Sequence, residues 1–171
     1  MMEATSPMSR EPVPASAAAV SFPSLAWFER LAALMRESSA VHEHLGDIDC
    51  VAQFTVLDGG PGGRPWHAQL TFAGVEVTDV REVRNEADFT RADFIVEGDL
   101  DTWAAMIRSI AEGGGRPALD QTLNFLSLPG TPIRVWSDDP VRRDAFFRFN
   151  QSLQEFVNAS HAFPTVFPGE S

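Results

Sequence analysis

In a chain of 171 residues, 24 acidic side chains against 13 basic ones leave a formal net charge of -11, which repels a phosphate backbone and argues against simple electrostatic docking on anionic lipid. The densest basic stretch, Arg142, Arg143 and Arg148, is diluted by Asp138, Asp139 and Asp144, so nucleic acid is not an expected partner. A lone cysteine, Cys50, excludes an internal disulfide and a cysteine metal site, and no segment approaches the ~20 apolar residues of a membrane span. The expected location is cytoplasmic.

Residues 1–20, rich in Pro, Ala, Ser and Thr without periodicity, read as a flexible arm. A single α+β domain is expected over 21–160. Beyond it, 161–171 forms a tail that Pro164, Pro168 and Gly169 keep from being helical, although Phe163, Val166 and Phe167 can pack back on the body.

Within the domain, Leu25, Phe28, Leu31 or Ala32, and Met35 recur at helical spacing, and a shorter helix carrying Val41 and Leu45 stops at Gly46. The period then changes to two. Ile48, Cys50, Ala52, Phe54 and Val56 share one strand face, with Asp49, Gln53 and Thr55 on the other, which predicts a half-buried strand.

The glycine-rich run 58–63 separates this strand from a second in which Trp66, Ala68, Leu70 and Phe72 alternate with His67, Gln69 and Thr71. Ala73-Gly74 turns into a third strand over 75–80, giving an antiparallel meander, and a shorter fourth strand spans 92–96. Asp99 caps a helix striped with Trp103, Met106, Ile107 and Ile110 that stops at Gly113-Gly114-Gly115. A helical stretch around Leu119, Leu123 and Leu126 precedes a brief strand, 133–136. The last helix has Asp139 at its cap and Pro140 at its first position, and runs about four turns.

Four stretches together resemble the sterol carrier protein two, or non-specific lipid-transfer, family: the strand CVAQFTVLDGG, the strand PWHAQLTF, the strand-to-helix junction ADFIVEGDLDTWAAM, and the amphipathic C-terminal helix. The resemblance covers roughly 22–159. It implies a mainly antiparallel sheet of about five strands backed by helices around an apolar cavity that takes sterols or fatty acyl chains with loose selectivity. The segment LNFLSLPGTPIRVWS departs from the family's lysine- and glycine-rich strand.

On this reading Phe54, Trp66, Leu70, Phe72, Trp103, Met106, Phe146, Phe149, Leu153 and Phe156 line the cavity, although the same residues could simply fill a core. Thirteen Phe and four Trp without any Tyr suit a dry interior. Cys50, on the inward face of its strand, reads as an inert thiol. His42 and His44, two residues apart on a helix, point in opposed directions and make no metal site. His67, opposite Trp66 and Ala68 in alternation, faces solvent or a neighbouring chain, and Asp93 reads as a structural cap.

The expected function is therefore non-catalytic binding or transfer of a sterol, fatty acyl or similar lipid, with no cofactor and no metal. A small-cone enzyme acting on a steroid- or polyketide-like substrate by acid/base chemistry is the alternative, and an accessory subunit a third. A homodimer is compatible with the sequence.

Overall fold

A computed structural model describes residues 18–170; most of the expected N-terminal arm, residues 1–17, and Ser171 lie outside the described residues. The order is β1 (Val20–Ser21), α1 (Leu25–Glu37), α2 (Ser39–Leu45), β2 (Cys50–Val56), β3 (Trp66–Ala73), β4 (Glu76–Glu82), β5 (Phe94–Gly98), α3 (Leu100–Glu112), α4 (Leu123–Leu126), β6 (Arg134–Trp136), α5 (Pro140–Asn158) and β7 (Thr165–Val166). Five strands form one sheet in the order β4-β3-β2-β5-β6, and β1 and β7 pair separately. The fold is α+β with a mostly antiparallel, mixed sheet.

Local chemistry explains the helix boundaries. The carboxylate of Asp99 accepts the Thr102 N–H at 2.8 Å, and that of Asp139 accepts the Val141 N–H at 2.9 Å, each satisfying a donor of the first turn. Gly46 ends α2 with φ +96, a conformation a residue with a side chain adopts only under strain. Helix α5 runs 19 residues, about five turns, one more than expected. Leu119, placed by sequence in a helical stretch with Leu123 and Leu126, instead sits 88% exposed on a separate 3-10 turn, while Leu123 and Leu126 of α4 are buried. Among the described residues, no helix is long and apolar enough to cross a membrane.

Two features of the sheet lie outside the sequence reading, which gave the fourth strand no direction and β2 one open face. The fourth strand, β5, runs parallel to β2, because the 3-10 segment Glu86–Arg91 crosses the sheet after β4 and delivers the chain in the direction of β2. Asp93 fixes that junction. Its N–H donates to Val51 O at 2.7 Å, its Oδ2 accepts from Val51 N at 2.7 Å, and its Oδ1 accepts from Arg142 Nε of α5 at 3.1 Å. The structural role expected of Asp93 is thus built from backbone pairing.

The second departure is that β2 is buried on both faces. Gln53 and Thr55, expected toward solvent, are as inaccessible as Phe54, since the segment Glu86–Arg91 covers them. Burial of these amides and hydroxyls is tolerable because they bond to one another. Gln69 Nε2 donates to Gln53 Oε1 (2.9 Å) and to Asp88 O (2.8 Å), and Gln53 Nε2 donates to Thr55 Oγ1 (3.2 Å).

On the opposite face the helices enclose an aromatic interior, with α1 against β4 and α5 against β5. The segment beyond residue 160 is part of this packing: Phe163 and Phe167 are buried, and β7 pairs in parallel with β1. Trp27 of α1 donates through Nε1 to Thr165 Oγ1 at 3.1 Å.

Candidate ligand-binding site

Alternation along β2 and β3 aims Phe54, Trp66, Leu70 and Phe72 at the helices, and the stripes of α3 and α5 answer with Trp103, Met106, Phe146, Leu153 and Phe156. All nine are buried in one continuous cluster, and Phe149, partly buried, packs against its margin. The rings meet in favoured geometries. Phe28 of α1 stacks on Trp66 (5.8 Å, 10°) and Phe54 (5.3 Å, 29°), and Phe54 meets Trp103 edge-on at 6.0 Å. Phe72 meets Phe156 at 5.2 Å, and Phe94 meets Phe146 at 5.7 Å. The one polar atom of Trp103 is satisfied by Thr55 O at 3.1 Å. Nine of the ten predicted lining residues are therefore together in one buried cluster, with Phe149 at its edge.

A hollow reaches this interior between α1, α2 and α5. It holds about 240 Å³ and is lined by Leu34 and Met35 of α1, Val41 and His42 of α2, Glu155 and Asn158 of α5, and Gly115 and His161 beyond the helix ends. Met35 belongs to the aromatic core as well, so it forms the floor of the hollow and the roof of the interior. Gly115 is required at the rim: its φ is +107, and a Cβ there would lie 2.9 Å from Cδ2 of His161. A neighbouring, almost wholly apolar hollow of about 380 Å³ shares Val41 and Glu155 and extends the depression along Ala40, His44 and Leu45.

The polar residues of the hollow differ in how well they are held. Asn158 accepts from Gln154 Nε2 at 2.8 Å, and Gln154 Oε1 accepts from Leu123 N at 2.7 Å, tying α5 to α4. His42 is 3% exposed, and its buried Nδ1 has no partner among the described residues. Burial holds its pKa below the ordinary histidine value, with the Glu155 carboxylate opposing the shift. Periodicity assigned Val41 and Leu45 to the apolar side of α2. Burial of His42 escaped the sequence because a seven-residue helix is too short to define its own inner face.

His67 lies across the sheet from the aromatic core, so it is not an acid or base inside an apolar cavity as the enzymatic alternative requires. Its Nδ1 is 2.7 Å from Thr55 Oγ1 and its ring is 4.6 Å from that of Phe89, which half-covers it instead of leaving it to solvent. Burial lowers its pKa, and Glu86 and Glu97 oppose that. Cys50, at the inner face, has its thiol pushed up to about 12, first by burial and then by Asp93 and Asp49. That removes the thiolate on which nucleophilic chemistry depends.

With this geometry in view, two solved structures are informative. A conserved hypothetical protein of Thermus thermophilus, suggested to be a sterol carrier protein, matches with a TM-score of 0.56 at 20% identity over 81% of this chain and 87% of its own. A crystal structure of sterol carrier protein 2 matches with a TM-score of 0.55 at 19% identity over 80% of this chain and 94% of its own. No family model and no curated protein sequence matches the chain.

Proposed function

From a sterol-carrier-protein-2-like fold, we propose that this protein binds and carries an apolar small molecule, a sterol or fatty acyl lipid, between the sheet and the helices. The observation that carries the reading is the fold likeness over four-fifths of the chain, to a protein that is by name a carrier of sterols. The aromatic composition of the interior supports it. Affinity would come from buried ligand surface, at about 25 cal/mol per Å².

Typical small-molecule sites hold roughly 300–1,000 Å³, more than the 240 Å³ of the hollow at α1, α2 and α5. A sterol- or acyl-sized ligand would need this hollow to join the neighbouring one of about 380 Å³, or the interior to open. The least costly place is α2, a seven-residue helix whose one buried side chain is His42. Met35, long and unbranched, is the adaptable side chain between the hollow and the core.

Native mass spectrometry of the protein as purified, followed by organic extraction, tests the proposal. Co-purifying sterols or acyl chains, or uptake of a fluorescent fatty acid, are the expected results. A bare protein that takes up neither class overturns it.

A further inference from the structure

Across the sheet from the aromatic interior, the polar side chains hydrogen-bond in an order that has a direction. The Asp88 carbonyl can only accept, so the Gln69 atom 2.8 Å from it is the amide nitrogen, Nε2. The second hydrogen of that nitrogen goes to Gln53 Oε1 at 2.9 Å, which turns Gln53 Nε2 to Thr55 Oγ1 at 3.2 Å. With its oxygen already accepting, the Thr55 hydroxyl gives its hydrogen to His67 Nδ1, 2.7 Å away. His67 therefore carries its own proton on Nε2. Burial holds the imidazole pKa below the ordinary histidine value against the pull of Glu86 and Glu97, so the ring is neutral at pH 7 and offers that one donor.

Nε2 bonds to no described residue and is not sealed from solvent. His67 lines a hollow of about 760 Å³, within the roughly 300–1,000 Å³ of small-molecule sites. Phe89 and Val83 wall it: the Phe89 ring centroid lies 4.6 Å from that of His67 at 60°, and Val83 N donates to His67 O at 3.0 Å. On the other side, the turn carrying Arg64 is closed by Gly60 N donating to Arg64 O at 2.7 Å. Arg64 and Arg84 are matched in the lining by Glu82 and Glu86, so the hollow has no net charge. Arg84 is itself 3.1 Å from Glu82.

We propose that this hollow is a second binding site, for an uncharged aromatic compound bearing a carbonyl group, which accepts the His67 Nε2–H bond while its ring lies against Phe89 and Val83. A neutral donor beside an aromatic wall fits a flat ring with one acceptor. A carboxylate would accept the same bond but meet Glu82 and Glu86 in the lining. Because the bonds running from Asp88 O to Thr55 set the donor before a ligand arrives, little ordering is left for binding to impose. The site is selective for the acceptor and does not draw on what the interior carries.

Titration of the isotope-labelled full chain with acetylnaphthalene tests this, against ethylnaphthalene, which lacks the acceptor, and naphthoate, which adds a charge. Nitrogen-detected magnetic resonance of the histidine rings should show the Nε2–H tautomer at His67, with Nε2 shifting on addition of the ketone and not of the hydrocarbon. The ketone should bind about fivefold more tightly than ethylnaphthalene, the worth of one neutral hydrogen bond, and more tightly than naphthoate. His67→Phe, which keeps a ring beside Phe89 and removes the donor, should erase the preference for the ketone over the hydrocarbon. If circular dichroism shows that His67→Phe unfolds, the Nε2 shift in the native chain carries the test. An Nδ1–H tautomer, no binding of the ketone, equal binding of ketone and hydrocarbon, or a preference for naphthoate overturns the proposal. So does a ketone preference that survives His67→Phe, which would put the probe elsewhere in the molecule.

Discussion

Strand β2, at the centre of the sheet, is buried on both of its faces, yet by opposite means. Toward the helices, Phe54, Phe72 and Phe94 meet other rings, and the stabilisation comes from apolar surface withdrawn from water and from close packing. Toward the 3-10 segment Glu86–Arg91, Gln53, Thr55, His67 and Gln69 satisfy one another in a chain of hydrogen bonds. The inner face can be rearranged, because apolar contacts are non-directional; the outer face tolerates little, because each bond fixes the next. Under the proposed carrier function this division would leave a deformable side toward the ligand and a specified side holding strand register.

The largest way to break the comparison is on the inner face. Phe54→Ala should cost about 3–5 kcal/mol through lost transfer energy and a residual cavity, read as a lower denaturant midpoint. A long-chain ligand that fills the cavity should restore part of that loss.

On the outer face, Gln53→Leu should cost about 1–3 kcal/mol, since it strands donors and acceptors of Gln69 and Thr55. The double variant Gln53→Leu/Thr55→Val should lose less than the sum of the singles, because the second change removes a group the first left unpaired. Additive losses in denaturation would show that the polar chain is not coupled.

A smaller effect comes from pH. His42 and His67 both have pKa values below the unfolded value of 6.5, so the unfolded chain binds more protons between the two values. Stability should be level above about pH 7 and fall as pH drops through 6.5 toward the folded pKa values. Denaturation midpoints across that window should lose part of their slope in a His67→Gln variant, with the share of His42 remaining.

The smallest expected signal is from Cys50. With its thiol at about 12 and its side chain buried, labelling by a thiol reagent at pH 8 should be negligible in the native protein and appear only on unfolding. Fast native labelling would mean that the inner face opens at its Cys50 end.

Much of this architecture was legible from residues close in the chain. Asp99 and Asp139 cap helices in the structure as their sequence settings predict, because a cap is decided within three residues. The inward set of β2 and β3 was readable for a similar reason: side chains alternate whatever else the strand meets. The ten residues expected to line a cavity fall in or against one buried apolar cluster.

What pairing partners a strand takes, and what lies on its second face, depends on segments far away in sequence. Nothing around β5 states that it runs parallel to β2; the crossing of Glu86–Arg91 sets that direction, and Asp93 pins the junction through bonds to Val51, 42 positions away. The polar residues opposite Phe54 looked solvent-facing because alternation reports chemical character and not cover. Sequence determined the caps, the periods and the inward faces, which are local; only the tertiary structure decided strand direction and the cover of the outer face, because each is a contact between distant parts of the chain.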